Sequence, residues 1–320
     1  MQLDRFLLRN RLAPRRQLCP HGRAGFAASA TVICGMTLAP TASADIGETS
    51  GIRFSIERTM PGSAGIDAAY GQTKDNRNGF LGTTYWNQQS VSGQVQIGNY
   101  SLQLSLLNAS SKKDLETHLL TSGPDAGAIV FGGTTKTHSN SILGSVGRYF
   151  GSWYAGGFAS YGQGDTRERR QGAGQIVTWD RDFDTFSFGA TITGNFPLVG
   201  SWYAAPSAQY IQFGSSAETA VDTNGTIIAQ EDNALTSIRM GGEIGYQTLL
   251  LDMIGSVGIR PFYVYNPVLF RDFSDKNGFD LTGFFTLAGE KVVTGLEVFT
   301  TFGREETDTL SGRIFVMLNF

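Results

Sequence analysis

Apolar and polar residues alternate with a period of two along much of this chain. From Tyr100 to Leu106, tyrosine and leucine occupy the even positions, whereas Ser101, Gln103 and Ser105 occupy the odd ones. Successive side chains of a β-strand point to opposite faces, so this spacing predicts a strand with one apolar and one polar face. The same alternation recurs at 52–57, 185–193, 237–247, 256–263, 296–302 and 313–320. The pattern therefore predicts an all-β fold.

The connections between these segments alternate between long and short. Long polar connections are expected at 109–139, 163–183, 214–233 and 266–278. Tight turns are expected near Gly151–Ser152, Pro197–Gly200, Leu250–Asp252 and Gly289–Lys291. An outer-membrane barrel has short periplasmic turns and long external loops, whereas a soluble periplasmic β-sandwich, the alternative fold, has no reason to keep this rhythm. We therefore predict a transmembrane antiparallel β-barrel.

Aromatic residues concentrate toward the ends of the predicted strands, where interfacial girdles of barrels place them. In a soluble sandwich the same residues would be expected in the core. They are Tyr149, Phe150, Trp153, Tyr154, Trp202, Tyr203, Phe262, Tyr263, Tyr265, Phe284 and Phe285.

Closure sets the number of strands. Lipid offers no hydrogen bonds, so every strand needs two neighbours, and bacterial single-chain barrels have an even strand count. We count ten strands from Tyr100 to Phe320, and residues 51–98 must supply two or four more. Two more give twelve strands, which we favour, and leave 51–59 as a plug or linker. Four more give fourteen strands, with a tight hairpin at 59–63.

The first 44 residues have the order of a secretory signal peptide. Six arginines and one acid precede an apolar stretch at 26–38, and the small residues Ala42 and Ala44 then mark a cleavage site. The apolar stretch is too short to span the membrane as a helix, which needs about 20 residues. The predicted organisation is a signal peptide at 1–44 and one barrel domain at 45–320, in which 45–80 can include a linker or plug.

The composition of the predicted mature chain excludes several kinds of site. Both cysteines, Cys19 and Cys34, lie in the signal peptide, so neither a disulfide nor a cysteine zinc site is expected. The remaining 19 basic and 27 acidic residues give a formal net charge of −8, which is unsuited to binding nucleic acid. The sequence contains no glycine-rich phosphate loop and no metal-ligand spacing. We therefore expect no cofactor, no metal and no nucleic-acid partner.

A set of ionisable residues falls on the polar, inward face of the predicted strands. These candidates for the lumen are Arg53, Glu57, Arg239, Glu243, Arg260, Glu297 and Arg313. They could form a charged constriction that selects solutes, or pair into ladders that stiffen the wall. Arg239 and Glu243 are four residues apart on one strand, too far for direct contact, so any pairing must be cross-strand.

Histidine is the usual general base, and the mature chain has only His118 and His138. The segment that begins at His138 is faintly similar to barrel phospholipases and lipid A deacylases. Those enzymes place a serine two residues after the histidine, where this chain has Asn140. Asp180 and Asp182 flank an arginine and are expected at a solvated loop tip. We therefore predict no catalytic residue, and the alternative is a lipid-modifying or proteolytic barrel enzyme.

Three motifs rich in glycine and aromatic residues recur between residues 148 and 247. They are Gly151-Ser-Trp-Tyr154 followed by Asp165-Thr-Arg167 in the next loop, Gly200-Ser-Trp-Tyr203 with Pro206 and Gln209-Tyr210, and Arg239-Met-Gly-Gly-Glu-Ile-Gly-Tyr246. This part of the chain resembles the translocator barrel of autotransporters, the type V secretion family, and the resemblance covers about 90–320. It implies a location in the outer membrane of a Gram-negative cell envelope. Outer-membrane lipid and lipopolysaccharide would surround the barrel, and the mixed charges at 165–170 could touch lipopolysaccharide phosphates.

The end of the chain resembles the β-signal that the bacterial barrel-assembly machinery recognises. The residues that carry this resemblance are Ile314, Val316, Leu318 and Phe320. One departure from the family is that only residues 45–50 precede the first strand-like segment, too few for a secreted passenger or a lumen-filling helix. The expectation is therefore a barrel without a passenger, acting as a small pore or a structural envelope protein.

Overall fold

The computed structural model describes residues 28–35, 51–58, 62–76, 81–119, 129–130, 132–172, 175–251, 253–269 and 276–320. Residues 28–35 and 51–58 are described by their backbone alone, so the side chains of Arg53 and Glu57 lie outside the described part. Ala42 and Ala44 also lie outside it, and the signal peptide stays a prediction. A search of the described residues for a helix that could span a bilayer finds none.

Twelve long strands of the described chain form one closed antiparallel sheet. They are β1 Gly62–Asp75, β2 Gly82–Ile97, β3 Tyr100–Leu115, β4 Gly133–Phe150, β5 Trp153–Gly172, β6 Gln175–Gly194, β7 Trp202–Ala217, β8 Glu231–Leu250, β9 Met253–Val268, β10 Asn277–Ala288, β11 Val292–Phe302 and β12 Thr307–Asn319. Each strand pairs with the next, and β12 pairs with β1 to close the seam, with Ile314 opposite Ala68. The prediction of a twelve-stranded antiparallel barrel is confirmed.

Shorter strands lie outside this barrel wall. Residues 51–58 do not add strands to the barrel, because Gly51–Arg58 pairs with Ala28–Gly35 in a separate two-stranded sheet. The connections carry two small ladders and one two-residue addition to β7. These are His118–Leu119 with Ile129–Val130, Ala220–Val221 with Ile227–Ile228, and Phe196–Pro197.

The period-two pattern of the sequence places polar side chains inside and apolar side chains outside. On β3, Leu104 and Leu106 are 54% and 58% exposed, whereas Ser101 and Gln103 are almost completely buried on the inner face. The outward leucines, valines, isoleucines and aromatics form a continuous apolar surface around the barrel. A contiguous apolar surface of this size is found where a protein meets another apolar phase, and lipid satisfies that requirement.

The four tight turns lie where the sequence predicts them, but the predicted loop at 163–183 is wrong. β5 continues to Gly172 and β6 begins at Gln175, so only residues 173–174 separate the two strands. Asp165, Arg167, Asp180 and Asp182 therefore lie within strands rather than at a loop tip. Beyond the apolar band, both faces of a strand can be polar, and such a strand has the composition of a loop. For the same reason strands also extend into the predicted loops at 109–139, 214–233 and 266–278.

Only part of the predicted aromatic girdle faces lipid. The outward rings are Phe150, Trp153, Trp202, Tyr263, Tyr265 and Phe285, and the inward ones are Tyr149, Tyr154, Tyr203, Phe262 and Phe284. The inner wall accepts large rings because glycine leaves space beside them. The Tyr154 ring covers Gly147 on β4 and Gly156 on its own strand, and a Cβ atom at Gly147 would overlap the ring.

Candidate functional site in the barrel lumen

The inner wall contains a cluster of charged side chains centred on Arg260 of β9. The Arg260 guanidinium donates hydrogen bonds through Nε to Glu243 on β8 and through Nη1 to Glu297 on β11. It reaches Glu297 across β10, where its Cζ lies 4.3 Å from the centroid of the Phe284 ring. One buried cation therefore connects four neighbouring strands.

The ion pairs continue from Glu297 across the seam between the last and first strands. Arg313 on β12 donates from Nη1 to Glu297 Oε2 at 3.1 Å, and its Nε lies 3.5 Å from Oδ2 of Asp67 on β1. Ser90 on β2 then donates to Asp67 Oδ1 at 2.7 Å. At the other end, the Tyr203 hydroxyl on β7 donates to Glu243. We call Glu243, Arg260, Glu297, Arg313 and Asp67 the seam chain.

A second cluster lies beside the seam chain and is centred on Asp280 of β10. Asp280 accepts hydrogen bonds from Arg239 on β8 and from Arg304, whose Nη2 is 3.3 Å from Oδ1. The Arg239 guanidinium also lies 5.2 Å from the centroid of the Phe262 ring. We call these three residues the Asp280 cluster. Two cations around one buried carboxylate give this cluster a positive charge, which offsets the negative charge of the seam chain.

More ion pairs line the inner wall toward the end of the barrel opposite the tight turns. Lys113 Nζ lies 2.9 Å from Asp75 Oδ2, with both side chains almost completely buried. The other two pairs are Arg170 with Glu168 at 3.0 Å and Arg181 with Glu231 at 3.1 Å. Acids and bases are equal in number among the residues named in these three groups of ion pairs. Burial of these charges is costly unless each has a partner. Lys113 and Arg181 find theirs on other strands, whereas Arg170 pairs with Glu168 two residues away on β5.

The structure brings together the lumen candidates that it describes. Arg239, Glu243, Arg260, Glu297 and Arg313 all lie on the inner wall, and every contact among these charges is between strands. Arg239 and Glu243 contact different partners, Asp280 and Arg260, as their spacing along β8 requires.

Sequence reasoning missed several residues of these clusters. Asp67 stands between Ile66 and Ala68, and Asp280 stands between Phe279 and Leu281. An acid flanked on both sides by apolar residues within an alternating strand must face inward, so this pattern could have identified both. Arg304 had no such signal, because it lies in the connection between β11 and β12.

The two histidines of the predicted mature chain lie away from the lumen clusters. His138 is exposed on the outer face of β4, directly opposite Ser110 on one neighbour and Asp165 on the other. No hydrogen bond joins these three side chains in the described structure, so a proton relay is not assembled there. His118 Nδ1 lies 2.9 Å from the Glu116 carbonyl oxygen. Among the described residues, no group of three or more metal-ligating side chains could hold a metal ion.

The C-terminal segment that resembles the assembly signal lies on the lipid face of the seam. Ile314, Val316 and Leu318 are outward and exposed on β12, and the Phe320 side chain is 79% exposed. The backbone N–H of Phe320 donates to the carbonyl oxygen of Gly62 at 3.0 Å, and its ring covers Gly62. The final residue is thus part of the closure between β12 and β1.

A known protein family matches the sequence of this barrel. The family described as "Autotransporter beta-domain" matches residues 122–293, which is more than half of the chain. The chain belongs to the autotransporter β-domain family. The resemblance in the glycine and aromatic motifs is thereby confirmed, and so is the location in the outer membrane of Gram-negative bacteria. No curated protein sequence matches the chain.

Solved autotransporter β-domains have the same fold. The chain is similar to the translocator domain of autotransporter NalP from Neisseria meningitidis, with a TM-score of 0.67 and 13% identity over 81% of this chain and 89% of that one. It is also similar to the β-domain of the Bordetella autotransporter BrkA, with a TM-score of 0.62 and 15% identity over 82% and 100%. For the transport unit of AIDA-I from Escherichia coli the TM-score is 0.60, with 14% identity over 82% and 92%. At these identities the likeness establishes the fold alone.

Proposed function

We propose that this autotransporter β-domain is a transport unit of the outer membrane, a narrow pore without catalytic residues. The observation that carries this proposal is the lumen wall, whose charged residues are held in cross-strand pairs around a closed barrel. Rings of charged side chains set the selectivity of a pore. Solved relatives described as translocator and transport units support a transport role.

The balance of charge determines what such a pore would prefer. The seam chain has one more acid than base, and the Asp280 cluster has one more base than acid. Opposite charges so close together leave little net field in the lumen, because each unit charge is offset within a few ångströms. A pore lined in this way would conduct small ions of either sign weakly and with little preference.

Reconstitution in planar lipid bilayers tests the proposal. We expect discrete channels of small conductance whose reversal potential in a KCl gradient stays near zero. A barrel that inserts and shows no conductance at any voltage would contradict the pore and favour a structural role. Insertion must be verified separately, by the altered gel migration of the unboiled folded protein.

Unbalancing the Asp280 cluster should change the selectivity of the pore. In the double variant Arg239→Ala/Arg304→Ala, Asp280 keeps its negative charge without the two guanidinium groups. We expect the K⁺ to Cl⁻ permeability ratio to rise by at least about threefold, because Asp280 and the seam chain would each keep one unbalanced negative charge, and a single such charge in a water-filled lumen contributes roughly 0.5–1 kcal/mol. The measurement is the reversal potential, and Arg148→Ala, at an exposed position on β4, is the matched control. An unchanged ratio would mean that ions do not pass this cluster.

We also propose that the barrel-assembly machinery recognises the last strand through its outward face and Phe320. Deletion of Phe320 should reduce the folded barrel in outer membranes severalfold, while folding of the purified chain into detergent stays nearly normal. The matched control is Phe302→Ala, which removes an outward ring from β11. If the yield of folded barrel fell equally in cells and in detergent, Phe320 would instead have a purely structural role at the seam.

A further inference from the structure

The lipid-facing side of β1–β5 and the adjoining β12 carries a shallow apolar groove of about 1020 Å³. Ile66, Val91, Leu106 and Ile142 supply apolar side chains to it, and all four are about half exposed. A second groove of about 880 Å³ lies on the same strands toward the tight turns. Small and aliphatic residues border this second groove, among them Ala64, Gly93, Leu104, Gly144 and Ala159. The aliphatic side chains that border the two grooves suit the acyl chains of a lipid.

A row of amide side chains forms the edge of the first groove that is farther from the tight turns. Gln89, Asn108, Asn140 and Gln163 stand opposite one another on the four strands β2–β5. Asn108 Nδ2 donates to Asn140 Oδ1 at 2.9 Å, and Gln163 Nε2 donates to the Tyr161 hydroxyl at 3.0 Å. Amide groups retain further donors and acceptors, which would suit the acyl linkages and hydroxyl groups of a lipid headgroup.

Three cations stand side by side above the amide row. Lys112 on β3 is directly opposite Lys136 on β4, which is directly opposite Arg167 on β5, and all three are exposed. Lys112 also pairs with Asp114 at 2.9 Å and Arg167 with Asp180 at 2.7 Å.

Like charges in this arrangement destabilise a sheet. Within the described part of the chain, Lys136 in the centre of the row has no ion pair. The row between the cations and the amides consists of Ser110, His138 and Asp165. An anion above the cations would remove the repulsion among them.

The height of the cations matches that of lipid phosphates. Lys112 lies twelve residues beyond Tyr100, at the start of β3. At ~3.3 Å per residue and a strand tilt of ~40°, its Cα is roughly 30 Å above the turn, and the apolar band of such a barrel is only about 25 Å tall. The cations therefore lie just outside the hydrocarbon, on the side of the membrane opposite the tight turns. That is the outer leaflet if the tight turns are periplasmic.

We propose that the outer wall of β1–β5 is a binding site for the lipid A part of lipopolysaccharide. The acyl chains would occupy the two grooves, the amide row would contact the acyl linkages and sugar hydroxyls, and Lys112, Lys136 and Arg167 would bind phosphate. Three cations over neighbouring strands span about 10 Å, which suits a headgroup with more than one phosphate better than a phospholipid with one. This site does not depend on an open lumen, so it stands or falls independently of the pore.

The experiment is a lipid titration of the full purified barrel in detergent, read out by native mass spectrometry. The probes are lipid A with two phosphates, its dephosphorylated form, and phosphatidylglycerol. We expect the doubly phosphorylated lipid A to bind about tenfold more tightly than either other probe, because only it presents two phosphates to the cations. The variant Lys112→Ala/Lys136→Ala should lose about tenfold in affinity for lipid A and little for the dephosphorylated form.

A second variant tests the grooves separately from the charges. Gly93→Leu/Gly144→Leu fills the second groove, the one nearer the tight turns. It does so without disturbing the wall, since a Cβ atom at either position meets open space. It should weaken binding of both forms of lipid A severalfold. The controls lie on the opposite side of the barrel. Lys276→Ala removes an exposed cation there, and Gly283→Leu adds a side chain at a position where a Cβ atom also meets open space. Equal binding of the three probes, or variants that bind lipid A as tightly as the wild type, would overturn the proposal.

Discussion

Replacing Arg260 with methionine should lower the free energy of unfolding by about 3 kcal/mol, because it removes the cation that Glu243 and Glu297 share on the inner wall. Glu243 would keep the Tyr203 hydroxyl and Glu297 would keep Arg313, but two carboxylates would then face each other without the charge between them. The measurement is urea unfolding of the barrel in detergent, followed by the altered migration of the folded form in gels.

Two further variants separate the charge effect from simple loss of packing. Arg260→Met combined with Glu243→Gln and Glu297→Gln should recover most of the lost stability, because no buried charge is left unbalanced. Arg148→Met, at an exposed arginine that contacts the Tyr100 and Phe150 rings, should cost less than about 1 kcal/mol. If Arg260→Met unfolds at the same urea concentration as the wild type, water in the lumen solvates both carboxylates and the pairs contribute no stability.

Replacing Gly147 with leucine should be comparably damaging, for a steric reason. The buried Tyr154 ring occupies the space where a side chain at position 147 would begin, and Tyr149 packs against that ring with centroids 5.0 Å apart. The ring can move only into Tyr149 or the lumen, so we expect a loss of about 3 kcal/mol, the upper end of what overpacking usually costs. Unfolding in urea measures this loss.

The steric explanation predicts rescue by a second substitution. Tyr154→Ala removes the ring, so adding Gly147→Leu to that variant should cost far less than it does in the wild type. Gly283→Leu, which introduces the same side chain on the outer face of β10, should change the stability by less than about 1 kcal/mol in either direction. Additive effects of the substitutions at 147 and 154 would show that the ring and the glycine do not interact.

The sequence carries most of the information about the barrel, because one physical rule acts on every strand. Apolar and polar residues must alternate in a strand that lies between lipid and a polar lumen. This alternation predicted the number of strands, the apolar outer face of β3 and the inward position of Arg260. The same rule fails where a strand leaves the membrane. Both faces of β5 beyond Gln163 are polar, so this segment has the composition of a loop although it is a hydrogen-bonded strand.

Contacts between strands were less predictable than the strands themselves. The partner of Arg239 depends on the registers of β8, β9 and β10 together, including the irregularity between Thr236 and Ile238. The Tyr154 ring can point into the lumen only because the neighbouring strand has a glycine at position 147, where a Cβ atom would overlap the ring. The row of Lys112, Lys136 and Arg167 likewise requires two exact registers, and each residue alone looks like an ordinary surface charge.

The unequal lengths of the strands give the outer rim of the barrel a high side and a low side. β5 and β6 are 20 residues long, whereas β11 and β12 are 11 and 13. Gly172 is nineteen residues from the start of β5, so on the geometry used above it stands roughly 20 Å beyond the apolar band. A large molecule that moves along the membrane surface therefore meets the charged extension of β5 and β6 on one side of the barrel. On the other side it meets the short strands β11 and β12. As far as the described strands show, the rim is therefore lower on the side of β11 and β12.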